Sequence, residues 1–204
     1  MDRLREVVQS LVFAHATRDS TSGTASLASF GLASEEFVEY VPSPWWVLQW
    51  LLPPSEVRPD DVFLEYGCGK GRIVLSAARR YRFARVIGVE LSDELSATAR
   101  ALVARERRLK SKLVCIETIE AGEFKVPDDV TYAYLFNPFK GETFRRVSAN
   151  IIASLDRVPR TLRLIYVNPE EHAGLMATGR FRLERKVRTI RLVSPLSAAI
   201  YTAR

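Results

Sequence analysis

Apolar residues recur along the chain in two rhythms. Up to about residue 58 the spacing is helical: Leu4, Val7, Val8, Leu11 and Val12 share one face of a helix predicted over residues 2–18. A Ser/Thr/Gly stretch at 19–26 reads as a loop. Ser34, followed by Glu35 and Glu36, opens a capped helical turn over 34–41. Pro42 and Pro44 interrupt it, and an apolar helix over 45–52 runs into Pro53 and Pro54. Trp45, Trp46 and Trp50 are spaced to pack that helix against its neighbour. Residues 1–58 therefore form a helical lead-in or cap, and 59–204 the main domain. Whether the lead-in closes over a site or joins two copies is left open by its pattern.

From residue 61 the rhythm alternates. Short β-rich runs at 62–66, 85–90, 112–116, 130–136 and 161–167 are separated by helical patterns at 70–81, 92–108, 142–155 and 170–178. Two final runs, 181–193 and 196–202, flank Ser194-Pro195 as a hairpin. Strands alternating with helices imply an α/β fold: a doubly wound, seven-stranded, mostly parallel sheet covered on both faces. The C-terminal hairpin supplies the antiparallel strand, and the N-terminal helices form an extension.

Composition narrows the setting. Among 204 residues, 47% are hydrophobic and 26% charged, enough apolar material for a packed core. Cys68, Cys115, His15 and His172 are the only cysteines and histidines, and no metal-ligand spacing links them, so no metal is expected. The N-terminal segment is amphipathic and its apolar run is broken, unlike a secretory signal, and no apolar stretch reaches membrane-spanning length. A cytoplasmic protein without a membrane partner is expected. The net charge of +6 is mostly arginine, densest over 100–112 at the end of a predicted helix, where cations complement the helix dipole. It keeps a nucleic-acid partner open without favouring one.

The chemistry sits in three motifs. At the end of the first predicted strand, Glu65-Tyr66-Gly67-Cys68-Gly69-Lys70-Gly71 opens a helix, and its glycines let backbone turn sharply against a ligand. A dinucleotide fingerprint needs glycine at 72, where this chain has Arg72, and a leading carboxylate would repel a pyrophosphate. Cys68 fits that turn as a small apolar residue, not as a nucleophile. Glu90 ends the second strand, nineteen positions after Gly71, with Leu91 next; a carboxylate there takes both hydroxyls of a ribose. At the end of the fourth strand stands Phe136-Asn137-Pro138-Phe139. An in-line displacement needs a lone pair held on axis, which the Asn137 oxygen achieves by accepting N–H, while the Phe139 ring holds a flat or cationic group.

In this order and at these strand ends the motifs resemble those of class I, Rossmann-like, S-adenosylmethionine-dependent methyltransferases, over roughly residues 60–203. The pairing of Gly-Cys-Gly-Lys-Gly-Arg with Asn-Pro-Phe resembles a bacterial group of small methyltransferases with unassigned substrates. The resemblance implies S-adenosyl-L-methionine as cofactor, bound by Glu65, Tyr66, Gly67, Cys68, Gly69, Gly71, Glu90, Leu91 and Asn137, with Glu117 and Thr118 near the adenine. It implies catalytic roles for Asn137, Pro138 and Phe139, and a substrate-side role for Tyr40, Ser43 and Phe139. Methyl transfer to a nitrogen of a small molecule or protein is the first expectation; an RNA or DNA methyltransferase and a non-catalytic nucleoside-binding protein are the alternatives. The acceptor and the oligomeric state are not written in these motifs.

Overall fold

A computed structural model describes residues 42–188 and 196–204. Within them the chain runs α1 (Val47–Leu51), β1 (Val62–Tyr66), α2 (Arg72–Arg80), β2 (Arg85–Glu90), α3 (Asp93–Arg105), β3 (Leu113–Thr118), β4 (Tyr132–Phe136), α4 (Gly141–Arg157), β5 (Leu162–Val167), α5 (His172–Ala177), β6 (Phe181–Arg188) and β7 (Ser197–Ala203). The helices expected over 2–18 and 34–41, and the lead-in to residue 41, lie outside the described residues. Among those described, no helix is long and apolar enough to cross a membrane.

The seven strands form one sheet in the order β3-β2-β1-β4-β5-β7-β6. β1 pairs in parallel with both β2 and β4, and β7 pairs antiparallel with both β5 and β6, so β7 alone is reversed. This is the expected doubly wound sheet, with the terminal hairpin supplying its one antiparallel strand.

Alternation along the strands divides the core in two. Val62, Leu64 and Tyr66 of β1 join Leu135, Leu164 and Tyr201 beneath Phe144, Val147 and Ile151 of α4. Phe63 faces the other way, with Val86, Tyr134 and Ile165, against Ile73, Val74 and Ala77 of α2 and Leu48 of α1. Glu65, one pleat beyond Phe63, points to this second face. Strands buried on both sides read as continuous apolar runs, which is why β1, β2 and β5 were plain in the sequence.

Ends moved where caps or pairing outcompeted periodicity. α3 begins at an N-cap, Ser92, whose Oγ accepts from the Leu95 amide at 3.3 Å, and Asp93 and Glu94 face the positive end of its dipole. It stops at Arg105, short of the residue 108 expected, where the Glu106 amide closes onto Val103. β3 runs two residues past its expected end, because Glu117 and Thr118 still pair with Val89 and Glu90. The first arm of the hairpin is strand over Phe181–Arg188, and 189–195 lie outside the described residues.

Gly88, in the middle of β2, is where the second face closes most tightly. A Cβ there would stand 2.8 Å from Cys68 Sγ, 2.8 Å from Val74 Cγ2 and 2.9 Å from Ile116 Cδ1. Gly88→Val is therefore expected to destabilise the fold by about 1–3 kcal/mol through overpacking. Denaturant titration checks it, and an unchanged midpoint would contradict the packing described.

Candidate functional site

β2 and β4 flank β1, and the chain leaves β1 and β4 in opposite directions along the sheet. An open crevice is left at their carboxyl ends, the position where doubly wound sheets bind ligands. A cleft of about 300 Å³ occupies it. Of the residues singled out in the sequence, Ser43, Glu65, Gly67, Cys68, Glu90, Leu91, Asn137, Pro138 and Phe139 line it. The structure thus brings all three motifs to one place.

The glycine turn is built on left-handed backbone at Gly67, Gly69 and Gly71, with φ of 66°, 53° and 76°. At Gly67 the approach is closest: a Cβ would lie 2.5 Å from Pro138 Cβ. Glycine here therefore lets the turn after β1 touch the turn after β4. Gly69 donates its amide to Glu90 Oε2 at 2.7 Å, and Ser92 donates to Oε1 at 3.0 Å. Glu90 is only 6% exposed, and burial raises its pKa against the lowering effect of these amides. Each carboxylate oxygen keeps a further lone pair with which to accept a hydrogen bond.

Glu65 is different. It is 4% exposed and its Oε2 has no hydrogen-bond partner, although it lines the cleft. Burial pushes its pKa well above the ordinary value; the Val74 amide opposes this and the Glu90 charge adds to it. A buried, unpaired carboxylate oxygen facing a cleft is a standing demand for a cation. A cationic group would meet that demand, and a pyrophosphate would worsen it. Cys68 is buried and its thiol is pushed up, by burial first and then by Glu65 and Glu90, so it has no thiolate character.

Across the cleft Asn137 is 7% exposed with φ of 45°, a left-handed conformation that asparagine tolerates better than most residues. Its Oδ1 accepts the Tyr166 hydroxyl at 3.0 Å. Asn168 and Glu170, at the tip of β5, complete this end of the cleft. Phe139 is 2% exposed: its ring stands edge-on to Tyr66 at 6.2 Å and near Phe144 at 6.4 Å. That commitment to the core leaves the ring a structural role beside the proposed substrate contact.

Several expected residues sit elsewhere. Tyr66 is packed in the first core against Phe124 and Phe139, and does not line the cleft. Gly69 and Gly71 act through the backbone: Gly69 binds Glu90, and Gly71, at the start of α2, lies where a Cβ would meet Ala99 Cβ at 3.0 Å. Glu117 and Thr118 stay in the ladder of the longer β3, with Glu117 exposed and Thr118 held by Ser96 and Arg100. The residues that reach the cleft from this side are instead Ile119 and Ala121. Tyr40 lies outside the described residues. Ser43 is held by the Tyr134 hydroxyl on its Oγ at 3.3 Å and by the Arg72 guanidinium on its carbonyl at 3.0 Å.

The sequence reading missed Arg72, Tyr166, Asn168 and Glu170. A signal did exist for one of them: Asn168-Pro169 repeats, at the end of β5, the Asn137-Pro138 of β4, and both asparagines adopt positive φ, 50° and 45°.

Residues 63–158 match the family model described as a methyltransferase domain. Over 57 residues, 28% of this chain and 35% of the relative, the sequence is 40% identical to a protein-lysine N-methyltransferase of Saccharolobus islandicus. The match thus spans about a third of that relative's length. Among solved structures, an RNA methyltransferase from Salinibacter ruber in complex with S-adenosyl-L-homocysteine superposes with a TM-score of 0.57 at 22% identity, covering 80% of this chain and 94% of that one. An S-adenosylmethionine-dependent methyltransferase from Methanosarcina mazei gives 0.60 at 14% identity, covering 75% and 97%. These structural likenesses establish the fold.

Glu65→Gln is expected to stabilise the ligand-free protein at neutral pH while weakening S-adenosylhomocysteine binding by about tenfold or more, the loss of a charge-assisted bond to its ammonium. The sign follows from the raised pKa: the folded protein holds this proton more tightly than the unfolded chain. Wild-type stability therefore falls as pH rises from near 4.5 through the higher folded value, and glutamine removes that fall. Urea melts of both proteins between about pH 5 and 8 check it. A difference that stays flat with pH would defeat the assignment.

Proposed function

We propose that this chain is an S-adenosylmethionine-dependent methyltransferase that methylates a nitrogen that carries hydrogen, on an amine of a protein or small molecule. The observation that carries the reading is the meeting, in one cleft, of Glu65, whose Oε2 has no partner, with the Asn137 amide. The first asks for a cationic nucleoside; the second offers an acceptor oxygen to an N–H.

Each residue then has a task. Glu65 receives the ammonium of the cofactor's methionine end, and Gly67 lets backbone lie against it. Glu90, already fixed by Gly69 and Ser92, offers its remaining lone pairs to the ribose. Leu91, Leu95, Ile119 and Ala121 give the apolar walls suited to adenine. S-adenosylmethionine held there would supply a methyl on a sulfonium to the lone pair of a neutral amine, the S–C electrons remaining on sulfur and a proton leaving the methylated nitrogen for solvent. Because the sulfonium is already a good leaving group, the chain contributes alignment and exclusion of water. Asn137 Oδ1 accepts an N–H of the acceptor and turns its lone pair toward the methyl. Pro138, with its ring against Gly67, keeps the asparagine in register with the cofactor turn.

Electrostatics favour an amine acceptor over a nucleic acid. Although the chain carries +6 overall, Glu65, Glu90 and Glu170 all face the cleft. Among the described residues the one cleft-lining cation, Arg72, is engaged with the Ser43 carbonyl and lies over the Trp45 ring at 5.2 Å. Such a mouth attracts ammonium groups and repels phosphate. The local likeness to a protein-lysine N-methyltransferase supports a lysine amine. We further read the chain as a small enzyme of bacterial type working in the cytoplasm, with residues 1–58 as a lead-in to the catalytic domain.

Incubation with tritiated S-adenosylmethionine is expected to label lysine-containing peptides and not RNA. Asn137→Ala should cut that labelling about a hundredfold, as misalignment does, while leaving S-adenosylhomocysteine affinity within about twofold. Labelled RNA with unlabelled peptides would overturn the amine reading, and full activity in Asn137→Ala would remove the asparagine from the chemistry.

A further inference from the structure

Two Asn-Pro turns stand side by side at the tips of β4 and β5, and they are tied together twice. The Tyr166 hydroxyl spans them: its oxygen receives the Glu171 amide at 3.4 Å, and its hydrogen goes to Asn137 Oδ1 at 3.0 Å. The Glu171 carboxylate reaches back and accepts from the Gly141 amide, at the start of α4, at 2.7 Å. On the β5 side, Asn168 is itself fixed, its amide on the Ser197 carbonyl at 2.7 Å and its Oδ1 accepting from the Ser197 amide at 3.3 Å.

The chemistry of these atoms decides which way the Asn137 amide faces. A tyrosine hydroxyl has one hydrogen to give. With the Glu171 N–H on its oxygen, that hydrogen needs an acceptor, and Asn137 supplies its carbonyl, not its NH₂. The Oδ1 then has one lone pair occupied and one left over. Burial, the largest influence on Tyr166, raises its pKa, so the hydroxyl remains a donor at any working pH. The ring is stacked on Phe144, with centroids 5.5 Å apart and planes at 22°, so the hydroxyl has little freedom to leave.

We infer that Tyr166 is a positioning residue for methyl transfer: by taking one lone pair of Asn137 Oδ1 it fixes the amide so that the other is presented to an N–H of the acceptor. This rests on the acceptor-side role proposed above for Asn137, and it restricts the acceptor to an atom that can donate a hydrogen bond. Tyr166 itself lies one shell away and does not line the cleft.

The test needs no acceptor. In sinefungin a carbon bearing a protonated amine replaces the sulfonium and its methyl, so its N–H groups stand where the acceptor meets Asn137, whereas S-adenosylhomocysteine has nothing there. The ratio of the two affinities, measured by calorimetry, isolates that contact. Tyr166→Phe, which keeps the stacked ring, is expected to lower the sinefungin preference about fivefold with S-adenosylhomocysteine affinity unchanged, the effect of one hydrogen bond. Asn137→Ala should lower it at least as much, and the double variant no further than Asn137→Ala alone, because both act through one oxygen. An unchanged ratio in Tyr166→Phe, or losses that multiply in the double variant, would overturn the role. So would a Tyr166→Phe protein that also loses S-adenosylhomocysteine, since the hydroxyl would then serve the fold. Failure of wild type to bind S-adenosylhomocysteine would refute instead the cofactor reading beneath it.

Discussion

The site depends on one carboxylate that belongs to no helix. Glu90 takes the Gly69 amide on one oxygen and the Ser92 amide on the other. It thereby fastens the turn leaving β1 to the turn leaving β2, at the point where the order of the sheet opens a crevice. Glycine backbone has more conformations to lose than any other, and three left-handed glycines in five residues would wander without a fixed partner. With Glu90 in place the turn presents a defined concave edge, and the α2 and α3 helices start from either side of it.

That edge is expensive in charge. Two carboxylates, Glu65 and Glu90, are buried close enough for one to raise the pKa of the other; Glu90 has a backbone amide on each oxygen, whereas Glu65 has the Val74 amide but keeps its Oε2 without a partner. Nothing in the fold requires Glu65: the same strand position filled by an apolar residue would continue the second core. A buried group that weakens the empty protein and is answered by a cationic ligand is a mark of selection for binding. The same logic explains how a basic chain keeps an acidic cleft. The arginines are spent elsewhere, as with Arg160, which gathers the carbonyls of Val130, Ser154 and Val158 around the end of α4.

Much of this was legible in the chain. Strands buried on both faces, such as β1 and β5, announce themselves as apolar runs between turn residues, and the glycine turn, Glu90 and Asn137 are local signals that the fold brings together. What stayed hidden depends on register or distance. Glu117 and Thr118 were expected just past the third strand, near the adenine, but β3 pairs with β2 for two residues longer, and it is Ile119 and Ala121 that line the cleft. Periodicity cannot see where a neighbouring strand stops pairing. Tyr166 reads as one more aromatic in a buried strand, and only the adjacency of β4 and β5 sets its hydroxyl on Asn137. Tyr66 carries the converse lesson: a residue inside the motif by sequence points, by the pleat of β1, to the opposite core.

The contact between Gly67 and Pro138 carries a mechanical implication. A proline ring has no rotamer with which to yield, and a glycine has no side chain to cushion the encounter, so backbone bears on ring directly. Whatever shifts the β1 turn therefore leans on the peptide that carries Asn137, and the reverse holds too. In the function proposed above, nucleoside and acceptor are thus held by two turns in direct contact, and part of the alignment that in-line transfer demands comes from sterics already present in the fold.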